Sequence, residues 1–248
     1  MPPVGNIQPL PKQMSAGYSF TAFIKQNKVF TCGLNRDGQL GDDSYTNRIK
    51  PGEVKLANNV VDLASGYAYG IALDSDGVVW GWGDNHVGQL GSHSRDNKPV
   101  PIQIESLPPI ASVFAAGDRV AALTNSGEVW AWGSLQGLDS GEMISGVDSA
   151  DVVWGESFYP FMIRPYKVPL PEIMAISAGF SHTLALDVEG RVWAWGFNIS
   201  KELGINSTKD SPDPLLVNGI DGIIAIAAGE FFSMALRECF INNRLIEL

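Results

Sequence analysis

The sequence predicts an all-β fold, a β-propeller of repeated four-stranded blades, and three observations carry that expectation. A segment opening on glycine recurs at Gly17, Gly66, Gly117, Gly179 and Gly229, at intervals of 49, 51, 62 and 50 residues. Each copy alternates large and small apolar residues in short runs bounded by Gly, Pro, Asn and Asp, the pattern of half-buried strands joined by turns. Gly and Pro recur too often to leave room for a helix of globular length. A period near fifty residues marks units that cannot bury their apolar faces alone and must pack on one another.

The clearest copy covers residues 171–217. Ile173–Ala178 reads as a short apolar strand that ends in small residues at Gly179, where the chain turns. Residues 183–186 form a second strand, and Asp187-Val188-Glu189-Gly190 a turn in which Gly190 takes positive φ without a Cβ penalty. Residues 192–195 make a third strand in which Trp193 and Trp195 flank Ala194, a period of two. A Gly/Asn-rich loop leads to a proline-bearing fourth strand near Pro214, suited to an outer edge. Gly77 and Gly127 occupy the same turn in two other copies, followed by Trp80 and Trp82 and by Trp130 and Trp132. These six tryptophans are expected to fill the wedges between blades.

The whole chain, residues 1–248, reads as one domain. Its formal net charge of −10 disfavours nonspecific attachment to nucleic acid or anionic membrane and suits a basic partner. No apolar run reaches the length of a membrane span. The opening MPPVGNIQPLPKQM lacks the basic and apolar regions of a secretion signal, so an intracellular location, cytoplasmic or nuclear, is expected. The two cysteines, Cys32 and Cys239, fall in the first and last copies; they make no disulfide scaffold and fit a reducing compartment.

The recurring residues resemble the RCC1 (regulator of chromosome condensation) repeat family. The resemblance rests on A-G-x-x-H-T-x-A-L at residues 178–186, on G-x-V-W-x-W-G at 190–196, and on G-x-N-x-x-G-Q-L-G at 83–91 and 33–41. It covers nearly the whole chain and implies blades of four antiparallel strands around an axis. The family usually builds seven blades, whereas this chain holds material for five. Residues 3–8 resemble the linking fourth strand of other copies, so the expected architecture is five blades closed by the N-terminal strand, with a partial ring or completion by another chain as the alternatives.

The third copy carries an insertion at about residues 134–160. Asp139, Glu142, Asp148, Asp151 and Glu156 make it acidic, and Trp154, Phe158 and Tyr159 give it an aromatic end. Such a segment is either a protein-contact element or a tolerated surface insertion whose aromatics fold back. Asp42, Asp43, Asp84, Asp118, Asp139 and Asp210 sit in or beside loops, with Arg36, Arg48, Arg95, Arg119 and Arg164 dispersed among them as candidate anchors.

Nothing in the local sequence points to bond-making chemistry. His182 occupies a position that holds Phe20, Tyr69 or Phe232 in other copies, which fits packing. His86 and His93 lack metal-ligand spacing, and no phosphate-cradling loop or nucleophile elbow is present, so no metal, cofactor or catalytic residue is expected. The expected function is a non-enzymatic protein-interaction propeller that binds its partner through loop faces. The alternative, implied by the resemblance, is a guanine nucleotide exchange factor for a small GTPase, with Asp118 and His182 among the face residues involved.

Overall fold

The computed structural model describes residues 11–135, 144, 147, 152–154, 160–237, 240–241 and 244–245, and the regular elements among them are all strands. The first sheet holds β1 (Met14–Ala16), β2 (Phe20–Lys25), β3 (Lys28–Gly33) and β4 (Arg48–Glu53). The second holds β5 (Val60–Ser65), β6 (Tyr69–Asp74), β7 (Val79–Gly83) and β8 (Lys98–Gln103). The third contains β9 (Ile110–Ala116), β10 (Arg119–Thr124), β11 (Val129–Ser134), β12 (Val152–Trp154) and β13 (Pro160–Lys167). The fourth contains β14 (Ile173–Ala178), β15 (His182–Asp187), β16 (Val192–Gly196) and β17 (Ser211–Leu216). Two hairpins follow, β18 (Ile223–Ala228) with β19 (Ser233–Arg237), and β20 (Phe240–Ile241) with β21 (Arg244–Leu245).

Neighbouring strands pair antiparallel, with His182 opposite Gly196 and Tyr69 opposite Gly83. A carboxylate closes the turn between second and third strands. Asp74 accepts the backbone N–H groups of Asp76 and Val78 and, at 2.8 Å, the indole N–H of Trp80; Asp187 does the same for Glu189, Arg191 and Trp193. This Asx-type turn needs a left-handed residue at its corner, and Gly77 supplies it at φ 81°. The turn then hands on to the next sheet, since Ile110 N–H donates to Gly77 O and Ile173 N–H to Gly127 O.

The opposite end of every sheet carries the turn between its first two strands and the long loop after its third. The two are stitched together: Asp84 N–H donates to Ala68 O, Ser134 N–H to Asp118 O and Phe197 N–H to Ser181 O. All long loops therefore share one face, called the loop face below. Four apolar clusters hold the array, each seated between consecutive sheets; one joins Leu40 and Val54 to Leu63 and Trp82, and the next joins Ile71 and Leu90 to Val113 and Trp132. Among the tryptophans, Trp82, Trp132 and Trp195 are 0, 2 and 6% exposed, while Trp80, Trp130 and Trp193 are half-buried.

The expected closed five-bladed ring is not formed. Among the described residues the fifth unit offers only the β18–β19 hairpin, and residues 244–245 pair with β20 and not with that hairpin. No described strand joins the first sheet to the last. The physical reason is visible in the sequence after Arg237, which lacks the G-x-V-W-x-W-G segment that supplies the third strand elsewhere. Without that strand β19 is exposed along its whole length, whereas its counterparts β6 and β15 are buried throughout. Residues 3–8, the expected closing strand, and Cys239 lie outside the described residues.

The insertion in the third unit adds a strand. Val152–Trp154 pairs with Pro160–Lys167 and makes this sheet five-stranded, in the order β12-β13-β11-β10-β9. Ile144, at 3% exposed, Val147 and Val152 fold back on the cluster between the second and third sheets. Among the described residues no helix is long and apolar enough to cross a membrane.

Candidate functional site

The loop face is organised by buried amides. Asn35, Asn85 and Asn198 are each 0% exposed. Asn85 Oδ1 accepts Leu90 N–H at 2.9 Å while its Nδ2 donates to Ser94 O at 2.8 Å, and Asn35 and Asn198 repeat this with Leu40 and Ser44 and with Leu203 and Ser207. A buried loop must satisfy its own backbone groups, and one amide with both donors and acceptors does this for a whole loop. Gln39 and Gln89 add a second brace through the N–H groups of Asp37 and Val87.

At the inner rim of this face an aromatic ring lies over glycine in most units. Tyr69 packs on Gly66 so closely that a Cβ there would collide with the ring, and its hydroxyl donates to Arg119 O at 2.6 Å. His182 takes the same seat over Gly179 and is 0% exposed. Its Nε2 lies 2.9 Å from Ser233 Oγ, and burial, reinforced by the Arg119 charge, pushes its pKa down. The third unit breaks the rule. Its turn is one residue shorter, so Arg119 opposes Gly133 as Tyr69 opposes Gly83 and His182 opposes Gly196. The guanidinium sinks between the third and fourth sheets among Tyr166, Asp210 and Asp118, and burial brings its pKa down to about 10. That burial, with the Asp213 charge adding to it, raises the Tyr166 hydroxyl despite the cation beside it.

Next to this arginine, three sheets bring acids together. Asp37 comes from the first long loop, Asp84 and His86 from the second, and Asp118 from the short turn of the third; the charges of the last three act on one another. His86 Nδ1 lies 2.6 Å from Asp84 Oδ2, and that hydrogen bond raises the imidazole pKa against the opposing effect of burial. Burial and the Asp84 charge raise the Asp37 carboxyl, with His86 opposing.

The other acids noted in the sequence are committed to their own loops: Asp42 pairs with Arg48 at 2.8 Å, Asp43 with Lys55 at 2.9 Å, and Asp210 accepts Asn198 N–H at 2.7 Å. Asp118 differs. Burial is the largest influence on its carboxyl and raises its pKa, and the group makes no side-chain hydrogen bond among the described residues. A partly desolvated carboxylate with no structural commitment, beside a histidine and an arginine, is the most site-like group on the face.

Of the remaining residues singled out in the sequence, Asp139, Glu142, Asp148, Asp151, Phe158 and Tyr159 lie outside the described residues, and Trp154 is described only as the end of β12. Among the described residues no group of three or more His, Cys, Asp or Glu is arranged to hold a metal ion. The equivalence of Arg119 and His182 was missed in the sequence because the shortened turn shifts the alignment by one residue. Pairing each unit's strand start with the glycine that ends G-x-V-W-x-W-G would have revealed it.

Comparison with known proteins agrees with this geometry. A family model for the regulator of chromosome condensation (RCC1) repeat matches residues 26–73, 76–123 and 189–236, and a second model of the same repeat matches 60–89 and 174–200. Protein pim1 of Schizosaccharomyces pombe is 34% identical over 83 residues, 31% of this chain and 15% of pim1. The human E3 ubiquitin-protein ligase HERC2 is 30% identical over 245 residues, 90% of this chain and 5% of HERC2. Among solved structures, Prp20p from Saccharomyces cerevisiae matches with a TM-score of 0.79 at 22% identity, over 90% of this chain and 55% of the Prp20p chain. Human WBSCR16 matches with a TM-score of 0.54 at 23% identity, over 93% of this chain and 72% of that chain. At these identities the two structures speak to the fold alone. The chain spans only a small part of the curated relatives named here and about half of Prp20p.

Proposed function

The chain belongs to the RCC1 repeat family, and from that premise we propose that it is a protein-interaction domain which engages a small GTPase through its loop face and promotes release of the bound nucleotide. The observation that carries this reading is Asp118, the desolvated carboxylate that no loop uses. The likeness to Prp20p supports it further, because the structure of that protein was described together with its binding to Gsp1p and histones.

Release of a nucleotide needs no bond-making group on the propeller. It needs groups that compete for what the GTPase uses to hold phosphate, and in P-loop proteins that is backbone N–H groups and a lysine. Asp118 offers a carboxylate to such a cation, and Asp84 hydrogen-bonded to His86 presents a second acid and an imidazole beside it. Arg119, set among Tyr166, Asp210 and Asp118, adds its charge beside the Asp118 carboxylate. His182, fully buried, positions the junction between the fourth and fifth units. The strand β12, at the outer edge of the third sheet, gives the partner a second surface.

The test is nucleotide release from purified small GTPases loaded with a fluorescent guanine nucleotide. Acceleration by the wild-type chain and its loss in Asp118→Ala, with pull-down retained, is the expected result. Binding without acceleration in either form would leave an interaction module without exchange activity. No binding by the wild-type chain would overturn the reading.

A further inference from the structure

The first strands of the five units converge on a shaft, and the two ends of that shaft differ. At one end the chain places its own cation: Lys12 Nζ lies 3.3 Å from Asp62 Oδ2, donates to Val113 O at 2.7 Å and stands 4.2 Å from the centre of the Phe114 ring. Lysine, carboxylate, carbonyl and aromatic face together tie the first three units across the axis.

The other end, on the loop face, opens into a depression of about 540 Å³. Its walls are the alanines, serine and glycines that end each first strand, and its rim carries Tyr18, Tyr67, Phe180 and Glu230. The three rings are 72, 42 and 43% exposed, although each sits on a turn whose other residues are small. Tyr18 and Tyr67 stack with their centres 4.4 Å apart, and both the Tyr18 hydroxyl and the Asp118 charge bear on the Tyr67 hydroxyl. Among the described residues, none of those lining the depression is basic.

We propose that this mouth is a binding site for an arginine side chain presented by a basic segment of a protein partner. Exposed aromatic faces held next to carboxylates attract a cation twice, through the ring quadrupole and through charge, and a planar guanidinium can stack on a ring while its edge meets an acid. The Lys12 end of the shaft shows the same combination of groups already holding a cation within this molecule. The net charge of −10 favours the approach of a basic segment over an acidic one. The inference does not rest on the exchange reading, which concerns Asp118 and a folded partner.

The experiment is fluorescence anisotropy with a labelled Gly/Arg peptide, and with the same peptide carrying Gln in place of Arg. The Arg peptide is expected to bind and the Gln peptide not. Tyr67→Ala, Phe180→Ala and Glu230→Gln should each weaken binding roughly three- to tenfold, the size of an exposed cation–π contact or charge-assisted contact. Asp76→Asn, in an exposed turn at the far end of the second sheet, should leave it unchanged. Thermal midpoints check that the variants fold; if Tyr67→Ala lowers the midpoint, Tyr18→Ala carries the same expectation at a more exposed ring. Equal binding by wild type and all three rim variants, or equal binding of the Arg and Gln peptides, would overturn the proposal even if exchange activity is found.

Discussion

The indole N–H of Trp82 donates to the backbone oxygen of Gln39 at 2.9 Å, and Trp132 repeats the bond to Gln89 at the same distance. Each joins the third strand of one sheet to the long loop of the sheet before it. The same loop is braced from within by the glutamine side chain, so one residue type serves both the loop and the junction.

Replacing Trp82 by alanine removes this bond and a fully buried ring. A loss of roughly 3–5 kcal/mol is expected, the range for large aromatic truncations in a core. Trp80→Ala should cost less, because Trp80 is half-buried and its indole reaches only Asp74 within its own sheet. Urea denaturation of both variants measures the difference; equal losses would mean the wedge is not tightly packed around Trp82.

Asn85 makes a separate forecast. In Asn85→Ala the N–H of Leu90 and the oxygen of Ser94 lose their partner in a buried loop, at a cost of roughly 1–3 kcal/mol for the unsatisfied groups. Asn85→Asp keeps the acceptor but places a charge where the side chain is 0% exposed, and should be the less stable of the two at neutral pH. Thermal midpoints at neutral and acidic pH distinguish them, since protonation restores part of the loss in the Asp variant only.

The two histidines should respond to pH in opposite senses. His86 has its pKa raised by the Asp84 hydrogen bond, so its contribution to stability is complete below its unfolded value of 6.5 and fades as pH rises through the folded value. His182 has its pKa lowered by burial, so its contribution is complete above 6.5 and fades as pH falls from there through the lowered value. Titration of the imidazole signals by NMR should place His86 above and His182 below the ordinary value, and Asp84→Asn should bring His86 down without moving His182.

Lys12→Met keeps the aliphatic stem and removes the ammonium beside Asp62, 1% exposed, whose carboxylate still accepts from the Lys12 and Leu63 N–H groups, from Ser112 and from the Val113 N–H. A loss of roughly 0.5–1.5 kcal/mol is expected for the ammonium's contacts with Asp62 and the Val113 oxygen. Combining it with Asp62→Asn should recover part of that loss, which a double-mutant cycle would read as coupling.

The repeat and its strands were legible because periodicity is local: Trp193, Ala194 and Trp195 alternate, Asp187 and Gly190 mark the turn, and a family pattern keeps them in register. Closure was not legible in this way. It depends on whether the segment after Arg237 supplies a third strand, and a short apolar stretch such as residues 244–248 satisfies a strand pattern without revealing its partner. For the candidate site, the acidic loops were visible as composition, but composition could not separate Asp42, paired with Arg48, from Asp118, paired with nothing among the described residues. Nor could it show that Lys12 crosses from the first unit to the third, since a contact between residues 12 and 113 has no trace in either neighbourhood.

The open fifth unit makes the molecule directional. Each sheet leans only on its neighbours, so the strength of any one depends on how many sides are covered. The second and third sheets are covered on both sides and further tied by Lys12, whereas β19 presents Met234 and Leu236 to solvent at 57 and 51%. Backbone amides of β18 and β19 will therefore exchange with deuterium first, those of β14 and β15 next, and those of β6 and β10 last. Heat or denaturant takes such an array apart from its less covered units inward, like a stack unloaded from the top, and the junction of the second and third sheets is the last part to go.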